Sequence, residues 1–373
     1  MGLRILYGVQ GTGNGHLSRS REIVRRLKQD GHEVRVIVSG RPAERLWDME
    51  AFEPYRVLPG LTFATRRGRL QPFRTLAGLN LARFYRDIRL EDARGVDLVI
   101  TDFEPITARI ALRHRLPAIG IGHQYAFHYR IPVAGFDPFA WFVLRRFAPA
   151  RHRLGLHWHS FGQPILPPVV PELPAGGPVR ERCILVYLPF EELEDIRRLL
   201  APFSGWEFRI HHHLERPLDE GHLRWRPLGR AGFLRALAES AGVITNAGFE
   251  LASEALQLGK KILVKPLSGQ MEQLSNARAL ALLGLGEVMN RLDGRAVEAF
   301  LRRPGGVRVR YPDVAAHIAR WIAGCSWEDP ADLARRCWEE TLFPAEAVPA
   351  GGRRSARPLI PAESGSSPSC RPR

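Results

Sequence analysis

A proline-rich stretch at residues 163–178 divides the chain, and strand-like and helix-like segments alternate on both sides of it. Prolines at 164, 167, 168, 171, 174 and 178 remove the amide donors that a helix or a central strand would need there. Before it, Leu3-Arg-Ile-Leu-Tyr7, Val34-Arg-Val-Ile-Val38, Val96-Asp-Leu-Val-Ile-Thr101 and Pro117-Ala-Ile-Gly-Ile121 read as strands. A helix capped by Ser18, with apolar Ile23, Val24 and Leu27 and an end at Gly31, comes after the first of them, and a second helix covers 106–114. After the stretch the alternation resumes with strands at Cys183-Ile-Leu-Val-Tyr-Leu188, Glu207-Phe-Arg-Ile210, Gly242-Val-Ile-Thr245 and Ile262-Leu-Val-Lys265. Such alternation means βαβ units and parallel sheets, so the expected fold class is α/β with two doubly wound halves. The division reads as an N-terminal half at 1–162, a linker at 163–178, a C-terminal half at 179–325 and a helical segment at 326–344. Residues 345–373 are Pro, Gly, Ser and Arg with little apolar content, and the expectation for them is a disordered tail.

Composition narrows the function classes. At 373 residues the chain is longer than one core usually serves. No apolar run approaches the roughly 18 residues of a membrane helix. Arg4 and the Gly-rich run after it interrupt any signal-peptide pattern, so a soluble, cytoplasmic chain is expected. Four cysteines, Cys183, Cys325, Cys337 and Cys370, lack metal-ligand spacing, and no metal site is expected. The formal charge is +15, with 54 Lys+Arg against 39 acids, yet only Lys28, Lys260, Lys261 and Lys265 are lysines. That arginine skew fits codon bias as well as phosphate binding, and no nucleic-acid recognition motif accompanies it. Nucleic acid is therefore not an expected partner.

Three constellations carry chemistry. The loop Gly8-Val-Gln-Gly-Thr-Gly-Asn-Gly-His16 lies between the first strand and the first helix. It is neither a dinucleotide fingerprint, since His16 stands where the third glycine belongs, nor a Walker loop. Its glycines, Gly13 among them, let a ligand approach the backbone, and His16 has the proton affinity of a general base near neutrality. Asp102, in Thr101-Asp-Phe-Glu-Pro105, ends a buried strand at the sheet edge where open α/β folds bind ligands. It can orient an imidazole, and capping the next helix is its competing role. The third constellation runs from Gly242 to Ala277 and places Asn246-Ala247-Gly248 at a strand-to-helix turn. Backbone N–H groups and the helix dipole at that turn suit a diphosphate. Glu254, six residues on, suits a ribose, and Gln270 and Gln273 offer the neutral amides that sugars bond.

At these residues the chain resembles a GT-B glycosyltransferase, closest in pattern to family 28. That group includes the peptidoglycan N-acetylglucosaminyltransferase and the galactosyldiacylglycerol synthases, and it shares motifs with the wider UDP-glycosyltransferases. The resemblance covers roughly residues 1–325, and Gly122-His-Gln-Tyr-Ala-Phe127 adds to it. It implies two Rossmann-like domains facing a cleft and an inverting, metal-independent transfer from a nucleotide-diphosphate sugar, a UDP-sugar, with no cofactor. It implies His16 as the base for the acceptor hydroxyl and Asp102 as the carboxylate paired with it. Gly248 corresponds to the diphosphate turn, Glu254 to the ribose acid and Gln273 to a donor-sugar contact, with Gln270 beside it. The chain departs from the pattern at Phe249-Glu250, where plant-type members carry a Trp or similar residue and then Asn or Gln.

The acceptor is open, with a lipid or cell-envelope molecule as one candidate class. Residues 61–90 carry seven arginines against Asp87 among Phe63, Phe73, Phe84 and Tyr85. Residues 138–153 carry four arginines and no acid beside Phe139, Trp141, Phe142 and Phe147. Basic-aromatic segments suit an anionic membrane surface, which would place the chain peripherally on the inner face of the membrane; plain arginine-rich helix faces are the alternative. His211-His-His213 reads as a strand end near the cleft. Two rival functions remain: a UDP-sugar 2-epimerase of the same fold, and a non-catalytic sugar-nucleotide-binding protein.

Overall fold

A computed structural model describes residues 2–61, 65–66, 69–70, 80–174, 177–325, 327 and 329–344. The expected tail at 345–373 and much of the 61–90 segment, including Phe63 and Phe73, lie outside the described residues. The N-terminal half builds one sheet from β1 (Arg4–Gln10), β2 (Glu33–Ser39), β3 (Tyr55–Leu58), β4 (Leu98–Asp102), β5 (Ala118–Gly122) and β6 (His152–Gly155). Its order is β3-β2-β1-β4-β5-β6, with every pair parallel. β1 and β4 are nearly continuous in apolar residues because helices cover both faces of the sheet. The chain reverses its winding between β1 and β4, and at such a switch point the carboxyl ends of strands open a crevice.

The first helix, α1 (Asn14–Gln29), comes directly after β1 and buries Leu17, Ile23, Val24 and Leu27. It begins four residues before Ser18, so Ser18 is an interior residue and not the cap that the sequence suggests. Gly13 is its N-cap in extended conformation without a capping side chain. The glycine-rich segment itself winds into the first turn, which brings His16 onto the helix. Further helices are α2 (Leu81–Leu90), α3 (Pro105–His114), α4 (His123–Ala126) and α5 (Pro138–Arg146). Glu104 caps α3, accepting from the Ile106 and Thr107 amides at 2.8 and 2.7 Å, with Pro105 in the first turn.

The C-terminal half repeats the winding. Its strands are β7 (Arg180–Tyr187), β8 (Glu207–His212), β9 (Leu218–Glu220), β10 (Leu223–Pro227), β11 (Ser240–Asn246), β12 (Lys261–Lys265) and β13 (Glu287–Val288). They lie in the order β9-β10-β8-β7-β11-β12-β13, parallel except for the β9–β10 pair. Around them pack α6 (Leu193–Leu200), α7 (Arg230–Glu239), α8 (Phe249–Gln257), α9 (Met271–Leu282), α10 (Gly294–Arg302), α11 (Val314–Ala323) and α12 (Ala331–Glu339).

Two connections differ from the expected division. The start of the proline-rich stretch is tied down, since Leu166 bridges to Leu156 at the edge of the first sheet and Ile165 and Leu166 are fully buried. The prolines on either side of Ile165 and Leu166 stop the ladder from growing further. The last helices return to the N-terminal half: α11 packs on α1, with Arg26 Nη2 donating to Asp313 Oδ2 at 2.5 Å. Trp338 of α12 donates its indole N–H to the Ile165 carbonyl at 2.6 Å. The halves therefore share packing at the crossing, and buried residues of both belong to one continuous apolar cluster.

Candidate active site between the two halves

His16 sits in the first turn of α1, where the turn faces the C-terminal half. Its Nδ1 lies 2.7 Å from Asp102 Oδ1 at the end of β4. Asp102 is completely buried and also accepts from Arg19 Nε and Nη2, at 2.8 and 2.5 Å, and from Ser20 Oγ at 2.7 Å. Burial alone would push the carboxyl up, but the Arg19 guanidinium and then His16 outweigh it and hold Asp102 below its ordinary value. Asp102 is thus an anion. It does not cap α3; Glu104 does, and Glu104 is engaged by Ser39 and Thr107 rather than by His16.

An anionic carboxylate only accepts, so the His16 tautomer with Nδ1–H satisfies it and leaves Nε2 as the free ring nitrogen. Arg19 Nη2 also stands 2.7 Å from Nδ1. Because a guanidinium only donates, it competes for that ring nitrogen and does not replace the carboxylate.

Across the cleft, α8 begins at Gly248. No side chain caps it, and a Cβ built on Gly248 would meet nothing within 4 Å. Its φ of −73° is ordinary for any residue, so neither strain nor packing demands glycine there. What remains is open space above the start of a helix that no side chain caps, the setting in which an anion binds, although the Gly248 N–H itself donates to the Asn246 carbonyl at 2.7 Å. Asn246 and Ala247 lie beneath the turn. Asn246 Nδ2 donates to the Lys265 carbonyl at 3.0 Å, and Ala247 is fully buried with its carbonyl accepting from Asn276. The Asn246 Nδ2 group and the Ala247 carbonyl tie the turn to its neighbours, while Asn246 Oδ1 is buried with no partner.

Glu254, less than two turns into α8, is buried where the halves meet, and Ser18 Oγ donates to its Oε1 at 3.2 Å. Burial pushes its carboxyl up to about 7, against the pull of Arg230 and of the Ser18 hydroxyl. Glu254 lines a pocket with Ser18, Arg21, Trp47, Tyr187, Arg230 and Phe233. Two guanidinium groups and an aromatic wall there match a nucleotide in charge and shape.

The two glutamines differ in their bonding. Gln273 is buried and its side-chain oxygen accepts from the Leu267 amide at 3.0 Å, which braces the loop after β12. Gln270 is the N-cap of α9 and its Oε1 is buried with no partner, so it alone of the pair keeps an unmet acceptor. His211 and His212 end β8 buried, and burial pushes His211 down to about 4. Among the described residues no group of three or more His, Cys, Asp or Glu could hold a metal ion.

Residues that sequence reasoning passed over complete the site. Arg19 binds Asp102 on one side and Glu250 of α8 on the other, and its side chain is 1% exposed. Among 54 basic residues nothing in its local sequence distinguishes it, beyond its place one turn after His16. His123 stacks on Phe249 at 4.2 Å and 8°, and its Nε2 lies 2.6 Å from Asn276 Oδ1.

The model of the family described as glycosyl transferase family 1 matches residues 3–134 and 160–304. The chain belongs to that family. No curated protein matches this glycosyltransferase. Among solved structures, the glycotransferase of kitacinnamycin is 14% identical with a TM-score of 0.59, covering 92% of this chain and 100% of its own. The spinosyn rhamnosyltransferase SpnG complexed with thymidine diphosphate is 17% identical with a TM-score of 0.55, covering 90% and 99%. SnogD from Streptomyces nogalater is 19% identical with a TM-score of 0.51, covering 91% and 99%. The fold is GT-B, and the chain is a glycosyltransferase in which two doubly wound halves face one cleft.

Proposed function

We propose that this glycosyltransferase moves a sugar from a UDP-sugar to a hydroxyl acceptor with inversion and without a metal ion. The observation that carries the reading is the His16–Asp102 bond standing opposite the uncapped start of α8. In the reaction His16 Nε2 takes the acceptor hydroxyl proton as the oxygen forms its bond to the anomeric carbon. The bond from that carbon to the diphosphate oxygen breaks at the same time, and the diphosphate leaves with the electron pair. Asp102 stabilises the imidazolium, and the first amides of α8, after Gly248, meet the charge on the leaving group. Glu254 would accept from the ribose hydroxyls, Gly13 would let the donor approach the backbone beside His16, and Gln270 is the amide available to the donor sugar.

SpnG is complexed with thymidine diphosphate, which supports a nucleoside-diphosphate donor without choosing the base. The motifs shared with family 28 favour uridine. Product analysis with UDP- and dTDP-sugars, with and without EDTA, tests the reading. Transferred sugar of inverted configuration supports it; an epimerised sugar favours the 2-epimerase, and nucleotide binding without product favours a binding protein.

For the acceptor we propose a lipid or envelope molecule presented at an anionic membrane surface. On α5 and just before it, Phe136, Phe139 and Phe142 are each more than 60% exposed, and Arg145 and Arg146 come next. No helix among the described residues is long and apolar enough to cross a membrane, so this contact would be peripheral.

A further inference from the structure

Around His16 the charges come from both halves of the chain. The N-terminal half supplies Asp102 and Arg19, whose charges cancel, and the Arg19 guanidinium stands against the same ring nitrogen that Asp102 engages. By themselves these two give an imidazolium at His16 little net support. The C-terminal half adds Glu250, whose Oε1 accepts from Arg19 Nη1. With it the cluster carries one net negative charge beside His16.

The other groups packed here do not replace it. Tyr7, bonded to Ser20, is held in its neutral form by burial. His123 is fully buried, and burial favours its neutral ring. Gln124 is neutral, and Glu272 reaches the cluster only through the Gln124 amide at 2.9 Å. Glu254 is turned toward Ser18.

Gly15 leaves the room. A Cβ at that position would lie 2.4 Å from Glu250 Oε2 and 2.8 Å from its Cδ, so any side chain on Gly15 would drive the carboxylate away. The glycine immediately before His16 therefore has a packing reason tied to Glu250. It is also at Glu250 that the chain departs from the Asn or Gln of plant-type members.

We infer that Glu250 acts through Arg19 to complete the charge balance that lets His16 hold the acceptor's proton. The base is thereby made competent only when the nucleotide-binding half is seated against it. Arg19 and Glu250 are positioning residues; neither touches the reacting atoms in this scheme. The inference rests on the reading of His16 as the base.

The test is Glu250→Gln, which keeps shape and a hydrogen-bonding oxygen but removes the charge. Turnover should fall about three- to tenfold, because the carboxylate's effect crosses a partly solvated cleft. The acid limb of the kcat profile should move to lower pH, while the donor KM stays the same or falls, since an acid has been taken from beside the diphosphate turn. Gly15→Ala, which keeps the charge and displaces it, should move the acid limb in the same direction. Glu250→Asp, charged but shorter, should fall between wild type and Glu250→Gln. An unmoved acid limb in Glu250→Gln, or a loss confined to donor KM, overturns the inference. If the wild-type chain transfers no sugar, the functional reading fails. The coupling is then read from the His16 ring resonance by NMR, which should titrate at lower pH in Glu250→Gln than in wild type. Identical titrations would overturn it.

Discussion

Ser18 and Glu254 are 236 residues apart, yet the serine hydroxyl donates to the buried carboxylate at 3.2 Å where the two halves meet. Arg230 in turn donates to the same hydroxyl at 3.2 Å, so one small side chain links α1, α7 and α8. A ribose bound at Glu254 would compete with Ser18 for its oxygens. Nucleotide binding and the seating of the halves would then draw on the same carboxylate.

Glu254 couples folding to pH. Its carboxyl is pushed up to about 7 by burial, from an ordinary 4.5. The folded chain thus holds that proton more tightly than the unfolded chain. The stability this adds is complete below pH 4.5 and is lost as pH rises through about 7. Glu254→Gln should therefore be more stable than wild type at pH 8, by up to about 3 kcal/mol, with the gap closing toward pH 4.5. Urea unfolding at the two pH values measures it; a pH-independent difference would refute the assignment.

Ligand binding should report the same group. Ribose hydroxyls donate to the ionised carboxylate, so UDP affinity should weaken as pH falls below about 7. Glu254→Ala should lower affinity about ten- to a hundredfold through lost charge-assisted bonds. Calorimetric titration with UDP and with dTDP checks both statements, and equal affinities in wild type and variant would remove Glu254 from the donor site.

His16→Ala should reduce turnover by roughly a hundredfold or more while nucleotide affinity changes little. Asp102→Asn should cost less activity, since its part is to orient and stabilise the ring. It should cost stability as well, because it leaves the Arg19 charge buried with only Glu250 to answer it; losing one partner of a buried pair costs about 3–5 kcal/mol when nothing compensates. Initial rates, nucleotide titration and thermal unfolding on the same preparations separate the two effects. An Asp102→Asn chain slower than His16→Ala would contradict the division of roles.

Gly248→Ala isolates the diphosphate turn. The added methyl meets open space in an ordinary backbone conformation, so folding should be unchanged within about 0.5 kcal/mol. A ligand resting on the α8 amides would be pushed back, and UDP affinity should drop about tenfold while uridine affinity holds. Unchanged UDP binding would place the anion elsewhere.

Membrane docking predicts sedimentation with anionic vesicles that declines as salt is added. Replacing Phe139 and Phe142 with Ser should weaken it at every salt concentration. A chain that stays in the supernatant at low salt has a soluble acceptor.

The two doubly wound halves were legible because fully buried parallel strands must be apolar along their length, as in Leu98–Asp102 and Lys261–Lys265. The glycine-rich turn before His16 and the turn at Gly248 were legible too, because close backbone approach leaves a local signature. Ser18 as a helix cap misled for a local reason: serine favours caps, but here the glycines themselves enter the first turn and Ser18 is used across the cleft. The bond from the Leu267 amide to Gln273 was not legible, since a polar residue in a polar loop gives no sign of which backbone amide it will accept from.

Periodicity and backbone space are local properties, and through them the sequence by itself determined the apolar central strands, the helix after β1, the open turns and an Asp at the end of β4, but not the strands β3, β6, β9, β10 and β13. Pairing was decided only by the tertiary structure. That Arg19 joins Asp102 to Glu250, that Glu104 and not Asp102 caps α3, and that α11 folds back onto α1 all depend on elements brought together in space. Arginine carries the same charge at all 50 of its positions in this chain, and only burial between two carboxylates distinguishes Arg19 from the rest.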